Sequence, residues 1–550
     1  MFWAGCDVAG AGLSNMSEIR VFPAAALQER KRLFDALQQA FPVSFTASPP
    51  KSDKSDQAAI SFIDPGNDLA DHPGSSRLLL PAGPEAGLAR KWAVRLANDS
   101  HIDRAFRGRT LSEHNLGHID DLRTSDRTTV LATAVSKPIW CRHRKDFGDA
   151  WQSALAIPEL MDGECLRDRF RDGSFASMLP LVHFLKSVAS DAGWKEPALR
   201  AAFIVDDPNL HSLRYGYLRF PELAQHAERH DYHVAMATIP LDAWFTHRGA
   251  ADIFRKPDSR LSLLIHGNNH VHHELAEFQS QKEAMSCLAQ ALRRVRRFEA
   301  KKGVPVCSVI APPHGACSEL AMETMLRLGY EGICVSRPFP WLQRPPGDTP
   351  TAGWFPADLV AGGLPVIPRY HLSAAREDLA FRAFLGQPLV LYGHHDDARS
   401  GLEVFSSAAE EIGRFGDVRW ESLGKIARSN YTTRRSGNCM QVRCYTNNFS
   451  IDIPDGVVEL EVTTAPAHGL LENFTVAVNG EEVAVAIVDS GNRRISARVP
   501  VSAGKTVVSL RHQHSVTAES VPEPAWHAWS AFRRVLTETR DRVRPAFARH

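Results

Sequence analysis

Seven short apolar segments, separated by stretches long enough for a helix, occur between residues 201 and 392. Each is continuously apolar rather than alternating, which is typical of a strand buried on both faces of a sheet. Strands of this kind that alternate with helices predict a parallel (β/α) barrel, distorted or incomplete. The segments are AAFIV (201–205), VAMATI (234–239), LSLLI (261–265), VCSVIA (306–311), GICVS (332–336), LPVI (364–367) and PLVLY (388–392).

The 550 residues are too many for one hydrophobic core, so the chain is expected to contain several domains. Residues 16–150 combine a helical pattern with short apolar runs, which predicts an N-terminal α/β domain. Residues 1–15 are expected to be a disordered extension. A helical connector (151–196) is expected to lead into the barrel domain (197–428).

After a predicted linker near 428–438, the hydrophobic period changes to two. Asn479-Gly480 is typical of a type I′ hairpin turn, and the alternating segments around it predict a small β-sandwich at 440–515. A closing helix is expected over 524–550.

The composition excludes several classes of partner. The 64 basic and 63 acidic residues give a net charge of +1, so bulk electrostatics predict neither nucleic-acid nor membrane-surface binding. No stretch approaches the ~20 apolar residues of a membrane span. Nine dispersed cysteines favour reduced thiols and, with no export signal in the first residues, a cytoplasmic location. No pattern predicts an oligomeric state.

Ionisable side chains follow four of the seven apolar segments. Because the carboxyl ends of barrel strands meet at one rim, we expect these side chains to converge there. They are Asp206, Asp207, His266, His270, His314, His394 and His395.

The adjacent carboxylates Asp206 and Asp207 repel each other unless a cation or a shared proton compensates them. One aspartate and two histidines form the donor set of a catalytic zinc site, which leaves the second aspartate to take a proton from water. Taken singly, an Asp-Asp pair is more often a turn or a helix cap, and a His-x3-His pair more often satisfies a loop. Together at one rim they predict a site for a divalent metal, and this donor set favours Zn²⁺.

Residues 197–405 resemble the polysaccharide deacetylase (NodB-homology) superfamily, as a divergent member. FIVDDPN looks like the family motif T-F-D-D-G, and HGNNH is similar to H-[ST]-x-x-H. The resemblance implies a distorted (β/α)7 barrel and a divalent metal, commonly zinc, that removes N- or O-acetyl groups from sugars. It makes Asp206 the general base and Asp207, His266 and His270 the metal ligands.

The later motifs depart further from the family. APPHG stands in place of R-P-P-Y-G, so Ala311 replaces an arginine, and Arg369 is our candidate for the missing positive charge. LVLYGHH lies where a strand-end histidine is the general acid, which favours His394 and then His395.

Other residues at the rim are candidates for substrate contacts. Pro312 and Pro313 have no N–H, so the amide of His314 is the first that can hold an oxyanion. The alternative, with equal weight, is that the prolines only end the strand. We expect Asn209 and Arg369 to contact substrate, and Trp341 either to stack on a sugar or to pack in its loop.

The sequence therefore predicts a metal-dependent deacetylase or amidohydrolase whose partner is an acetylated carbohydrate. The alternative is a catalytically silent relative that acts as a glycan-binding or assembly factor, which the replaced arginine favours. A third and weaker possibility is glycoside hydrolysis, which would need two separated carboxylates, whereas only the adjacent pair Asp206 and Asp207 stands out in this sequence. The basic run at 291–302 is interpreted as a solvated helix face, with attraction of an anionic glycan as the second possibility.

Overall fold

The structure is a computed structural model that describes residues 16–47, 58–63, 77–83, 87–145, 148–271, 273–336, 350–373, 377–468, 474–483, 488–489, 494–524, 529, 532–537 and 539–540. The expected N-terminal extension (1–15) and Trp341 lie outside the described residues. The chain divides into two compact units, Met1–Lys195 with Pro345–Trp354 and Glu196–Arg344 with Phe355–His550.

In the first unit, nine strands of the described residues form one mixed sheet in the order β2-β1-β3-β4-β9-β8-β7-β5-β6. The β2-β1-β3-β4-β9 half is parallel, and the remaining strands pair antiparallel. The strands are β1 (Ser17–Phe22), β2 (Val43–Ala47), β3 (Ala59–Ile63), β4 (Arg77–Pro81), β5 (Gly87–Leu96), β6 (Thr110–Gly117), β7 (Thr128–Ala134), β8 (Lys137–Lys145) and β9 (Gly148–Ser153).

The helices of this unit follow the predicted pattern. A helix pair, α1 (Ala24–Glu29) and α2 (Lys31–Ala40), connects β1 to β2, and α2 buries Leu33 and Leu37 because they recur at helical spacing. A third helix, α3 (Leu179–Asp191), follows the sheet.

In the second unit, the seven predicted segments form the seven strands of a closed parallel barrel, which confirms the predicted (β/α)7 fold. The strands lie in the order β16-β15-β14-β13-β10-β19-β18, and pairing of β18 with β16 closes the ring. They are β10 (Leu199–Asp206), β13 (Val234–Thr238), β14 (Leu261–His266), β15 (Val306–Ala311), β16 (Gly332–Val335), β18 (Leu364–His371) and β19 (Leu389–Gly393).

Helices connect the barrel strands, and short strands are added at its margins. The helices are α4 (Phe220–Arg229), α5 (Arg248–Arg255), α6 (Gln281–Lys302), α7 (Glu319–Leu328), α8 (Glu377–Phe384), α9 (Glu403–Gly413) and α10 (Leu423–Arg428). The added strands are β17 (Asp358–Val360), which pairs with β18, and β20 (Val418–Trp420), which pairs with β10. Two further short strands, β11 (Arg214–Tyr215) and β12 (Leu218–Arg219), pair only with each other.

Two antiparallel-rich sheets follow the barrel and form the predicted β-sandwich. One has the order β21-β22-β24-β29-β28 and the other β23-β30-β26-β27. The strands are β21 (Tyr431–Ser436), β22 (Cys439–Cys444), β23 (Asn448–Ile453), β24 (Glu459–Thr464), β26 (Phe474–Val478), β27 (Glu481–Val483), β28 (Val488–Asp489), β29 (Ile495–Pro500) and β30 (Gly504–His512). A two-residue strand between them in the chain, β25 (Ala467–His468), pairs instead with β17 of the barrel sheet.

The segment expected to be a linker near 428–438 is instead the first strand of the sandwich. Residues 431–436 form β21 and pair antiparallel with β22 from Tyr431↔Cys444 to Ser436↔Cys439. Most side chains of this strand are only partly buried, so its sequence is polar and lacks the apolar alternation that would have predicted a strand. Among the described residues, no helix has the length and apolar character needed to cross a membrane.

Arg200, at the amino end of β10, joins this strand to two later segments. Its guanidinium donates hydrogen bonds to the Gly386 carbonyl oxygen (2.6 Å), the Ser429 carbonyl oxygen (2.8 Å) and Asn430 Oδ1 (3.0 Å). Burial lowers the pKa of Arg200 to about 10, although Glu421, Tyr431 and Glu196 act in the opposite direction.

We expect Arg200→Met to lower the free energy of unfolding by roughly 2–4 kcal/mol, because several acceptors lose their donor at once. Urea denaturation measures the change. Arg419→Met is the matched control, since Arg419 is exposed and pairs in register with Arg200, and it should cost less than about 0.5 kcal/mol. Equal stability of the two variants would contradict this role for Arg200.

Candidate metal centre and active site

The rim at the carboxyl ends of the barrel strands brings together Asp207, His266 and His270. Asp207 Oδ1 lies 2.9 Å from His270 Nε2 and 3.3 Å from His266 Nε2. One ligand atom from each residue lies within 4.8 Å of the other two. Three side chains from two strands therefore converge on a volume that one cation can fill.

The protonation of His266 is defined by its second ring nitrogen. Nδ1 of this buried imidazole is 2.8 Å from the Ala311 carbonyl oxygen, which can only accept. Nδ1 therefore carries a proton, and Nε2 is the nitrogen turned to Asp207. A metal-bound histidine is usually oriented in this way by a carbonyl or carboxylate on its other nitrogen.

The charges of these residues compensate one another. Burial disfavours ionisation of Asp207, but His266 and His270 outweigh it and hold the pKa of Asp207 well below its usual range. Burial likewise disfavours the charged form of His266, and the carboxylates of Asp206 and Asp207 raise its pKa.

The donor set fits a divalent cation. In the described part of the chain no well-directed hydrogen bond reaches the buried Oδ1 of Asp207, although two imidazole nitrogens lie beside it. A carboxylate and two imidazoles are ligands that Zn²⁺ prefers, and three protein ligands leave a position for substrate or water.

Asp206 has its own, separate counter-charge. Arg369 Nη1, from β18, donates to Asp206 Oδ1 at 2.7 Å, and both side chains are almost fully buried. The guanidinium also lies 4.2 Å from the centre of the Tyr392 ring. Burial raises the pKa of Asp206, but the charge and hydrogen bond of Arg369 outweigh it, so the pKa is lowered. Arg369, with 1% of its side chain exposed, thus lies behind Asp206 and not at the surface where a substrate would contact it.

Glu274 holds the loop that carries His270. Its carboxylate accepts the backbone N–H groups of Asn268 (2.8 Å), Asn269 (2.8 Å) and His270 (3.2 Å). His270 has φ 56°, a strained conformation for a non-glycine residue, and these bonds help to maintain it.

The glycine of HGNNH is required by close packing. Gly267 has φ 61°, and a Cβ there would lie 2.5 Å from Glu274 Oε2 and 2.7 Å from Pro313 Cγ. A side chain at this position would push Glu274 away from the loop.

His394 stands at the open side of the rim. Its Nε2 is 4.0 Å from Asp207 Oδ2, and 47% of its side chain is exposed. Its backbone N–H donates to Asp397 Oδ2 at 2.8 Å, and His371 Nε2 lies 3.6 Å from the same oxygen. His371, His394 and Asp397 thus form a second group with metal-ligating atoms within 4.8 Å.

His395 and His314 have different surroundings. His395 is buried, its ring 5.2 Å from that of Tyr215 and 5.7 Å from that of Tyr217. His314 is exposed, and its ring centre is 5.6 Å from that of His270. His395 therefore packs against two tyrosine rings, and His314 lies beside the loop that carries His270.

Asn209 is buried next to the carboxylate pair. Its Oδ1 accepts the backbone N–H of His211 at 3.2 Å, and it lines a small cavity with Asp242. Sequence patterns did not predict the roles of Glu274, His371 or Asp397. The left-handed backbone around His270, which needs a side-chain acceptor, is visible only in three dimensions.

We expect Glu274→Ala to weaken zinc binding by about 10–100-fold, because the loop that aims His270 loses its acceptor. Competition with a chromophoric chelator measures the affinity. Glu277→Ala removes an exposed carboxylate of the same loop and should leave the affinity unchanged. Equal affinities in the two variants would show that Glu274 does not position the ligand.

Comparison with known proteins gives the following. No protein-family model matches the sequence, and no curated protein matches it. Among solved structures, the chain is similar to Agd3, "a novel carbohydrate deacetylase" (9% identity, 90% of this chain and 98% of that chain, TM-score 0.48). It is also similar to a putative polysaccharide deacetylase from Mycobacterium smegmatis (13% identity, 43% of this chain and 91% of that chain, TM-score 0.32). A third similar structure is that of a CE4 family pseudoenzyme from Bacillus anthracis (12% identity, 41% of this chain and 68% of that chain, TM-score 0.24). Two of these three solved structures are thus described as a carbohydrate deacetylase and a putative polysaccharide deacetylase, and the third as a pseudoenzyme.

Proposed function

We propose that this protein is a divalent-metal-dependent hydrolase that removes an acetyl group from a carbohydrate. The observation that carries the proposal is the convergence of Asp207, His266 and His270 on one volume, with the buried Asp206–Arg369 pair beside it. Zinc is the proposed metal, held by those three side chains. When bound, such a cation polarises a carbonyl oxygen and lowers the pKa of water.

Asp206 is the proposed general base. It precedes Asp207 directly, and the Arg369 guanidinium keeps it ionised in a buried place where a lone carboxyl would be neutral. An ionised carboxylate beside the metal ligands can take the proton of the attacking water.

His394 is the proposed general acid. It lies across from Asp207 on the exposed side of the rim, where an amine or alcohol can leave to solvent. The backbone N–H of His314 is the proposed donor to the oxyanion, and the exposed ring is close to the ligand loop.

The same geometry bears on the alternative of a silent, glycan-binding relative. That alternative was favoured because Ala311 replaces the arginine of the family motif. In this chain Arg369, from a different strand, supplies a guanidinium to Asp206. The positive charge beside Asp206 is therefore retained although the motif arginine is replaced by Ala311. This removes the main argument for a catalytically silent protein.

We expect Asp206→Asn and His394→Ala each to lower kcat by about 10²–10⁴-fold with metal content retained, because they remove proton transfer and no metal ligand. Asp207→Ala and His270→Ala are expected to bind the metal more weakly, to contain less of it after purification and to lose the activity. Acetate release from N-acetylated chito-oligosaccharides, with elemental analysis of each variant, makes the measurement.

His230→Ala is the matched control, because this exposed imidazole follows α4 and precedes the amino end of β13, away from the rim. It should retain both metal and activity. Full activity in Asp207→Ala with the metal still bound would overturn the proposal. Activity lost in His230→Ala as well would indicate an effect on folding.

A further inference from the structure

The basic face of α6 binds the C-terminal segment of the chain. Arg293 Nη1 donates to the carbonyl oxygens of Ala518 (2.5 Å) and Val521 (2.6 Å). Two ion pairs extend the contact, Arg296–Glu519 and Arg297–Glu523. The run of arginines interpreted from the sequence as a solvated face therefore holds residues 518–523 in place.

Beyond this contact the segment reaches the barrel rim. Residues 532–537 are helical, and the guanidinium of Arg534 pairs with the carboxylate of Asp242, Nη2 to Oδ2 at 2.5 Å, both side chains being buried. Asp242 follows β13, and its neighbour Leu241 donates its N–H to the Asn268 carbonyl oxygen at 3.0 Å. The helix is thus fastened to the loops that surround the candidate metal centre.

Arg533 precedes this anchor. Its Nη2 is buried and, within the described residues, no atom accepts a hydrogen bond from it. Burial and the neighbouring Arg534 lower the pKa of Arg533, and the carboxylates of Glu274 and Asp207 oppose this shift. A buried guanidinium nitrogen without a partner costs about 1–3 kcal/mol, so a partner is expected when the site is filled.

Neither of these two carboxylates accepts a hydrogen bond from Arg533 Nη2. Glu274 already accepts three backbone N–H groups, and Asp207 faces the two imidazoles. We propose that Arg533 is a specificity-determining residue that binds an anionic group, a carboxylate or a phosphate, on the carbohydrate substrate. The guanidinium fork suits both groups, because it can donate two parallel hydrogen bonds to their oxygens. The choice of a carbohydrate rests on the proposed function.

The test uses three sugars that carry no acetyl group and so cannot be hydrolysed, namely glucose, glucuronate and glucose 6-phosphate. Calorimetric titration of the zinc-loaded full-length protein measures their affinities. We expect at least one charged sugar to bind about tenfold or more tightly than glucose, as one charge-assisted hydrogen bond to a buried partner provides. Preference for glucuronate identifies a carboxylate, and preference for glucose 6-phosphate identifies a phosphate.

Arg533→Ala should abolish the preference, and Arg533→Lys should retain part of it because the charge remains. Arg419→Ala, an exposed arginine on β20 at the amino end of the barrel strands, should leave it unchanged. Equal binding of all three sugars, no binding of a charged sugar, or a preference that survives Arg533→Ala would overturn the proposal.

The result is separable from that of the proposed function, since binding needs no turnover. Acetate release without a charge preference would leave the hydrolase and remove the role of Arg533. A charge preference lost in Arg533→Ala, without acetate release from any substrate, would leave an anionic-sugar site on a silent barrel.

Discussion

The structure of the rim depends on how two adjacent carboxylates are accommodated at the end of a buried strand. Asp206 ends β10 and Asp207 follows it directly, yet each is compensated by different groups: Arg369 behind the first, and His266 and His270 beside the second. Separate partners allow both acids to remain ionised at 2.7–3.3 Å from cationic or metal-binding groups, where an unpaired charge would be costly. This division would also separate the two proposed roles, with Asp206 as a base that holds no metal and Asp207 as a ligand that transfers no proton.

The barrel makes this division possible because it brings distant segments into register. β10 is flanked by β13 and β19, and β18 pairs with β19, so Arg369 reaches Asp206 across the interior. The ligand histidines come from β14 and its loop, and Glu274 fixes that loop by accepting three successive N–H groups. The proposed ligands and base therefore depend on supporting residues, Arg369 and Glu274, that other segments of the chain supply.

The sequence predicted the seven barrel strands because each is continuously apolar, and it predicted the rim residues because they follow those strands directly. It offered Arg369 only as a candidate, since pairing with Asp206 depends on strand order. Residues 431–436 were missed as a strand because their polar side chains lie on a half-exposed sheet. The arginines of α6 were interpreted as solvated, since nothing in a local pattern indicates that residues more than 200 positions later will bind them.

The central claim is that Asp207, His266 and His270 bind one divalent cation. X-ray absorption at the zinc edge, on the stoichiometrically loaded wild-type protein and on His270→Ala and His371→Ala, tests it most directly. We expect two imidazole nitrogens and a carboxylate oxygen at about 2.0–2.2 Å from zinc in the wild type, and the loss of one nitrogen in His270→Ala only. Loss of a nitrogen in His371→Ala with none lost in His270→Ala would assign the cation to the His371, His394 and Asp397 group and contradict the account.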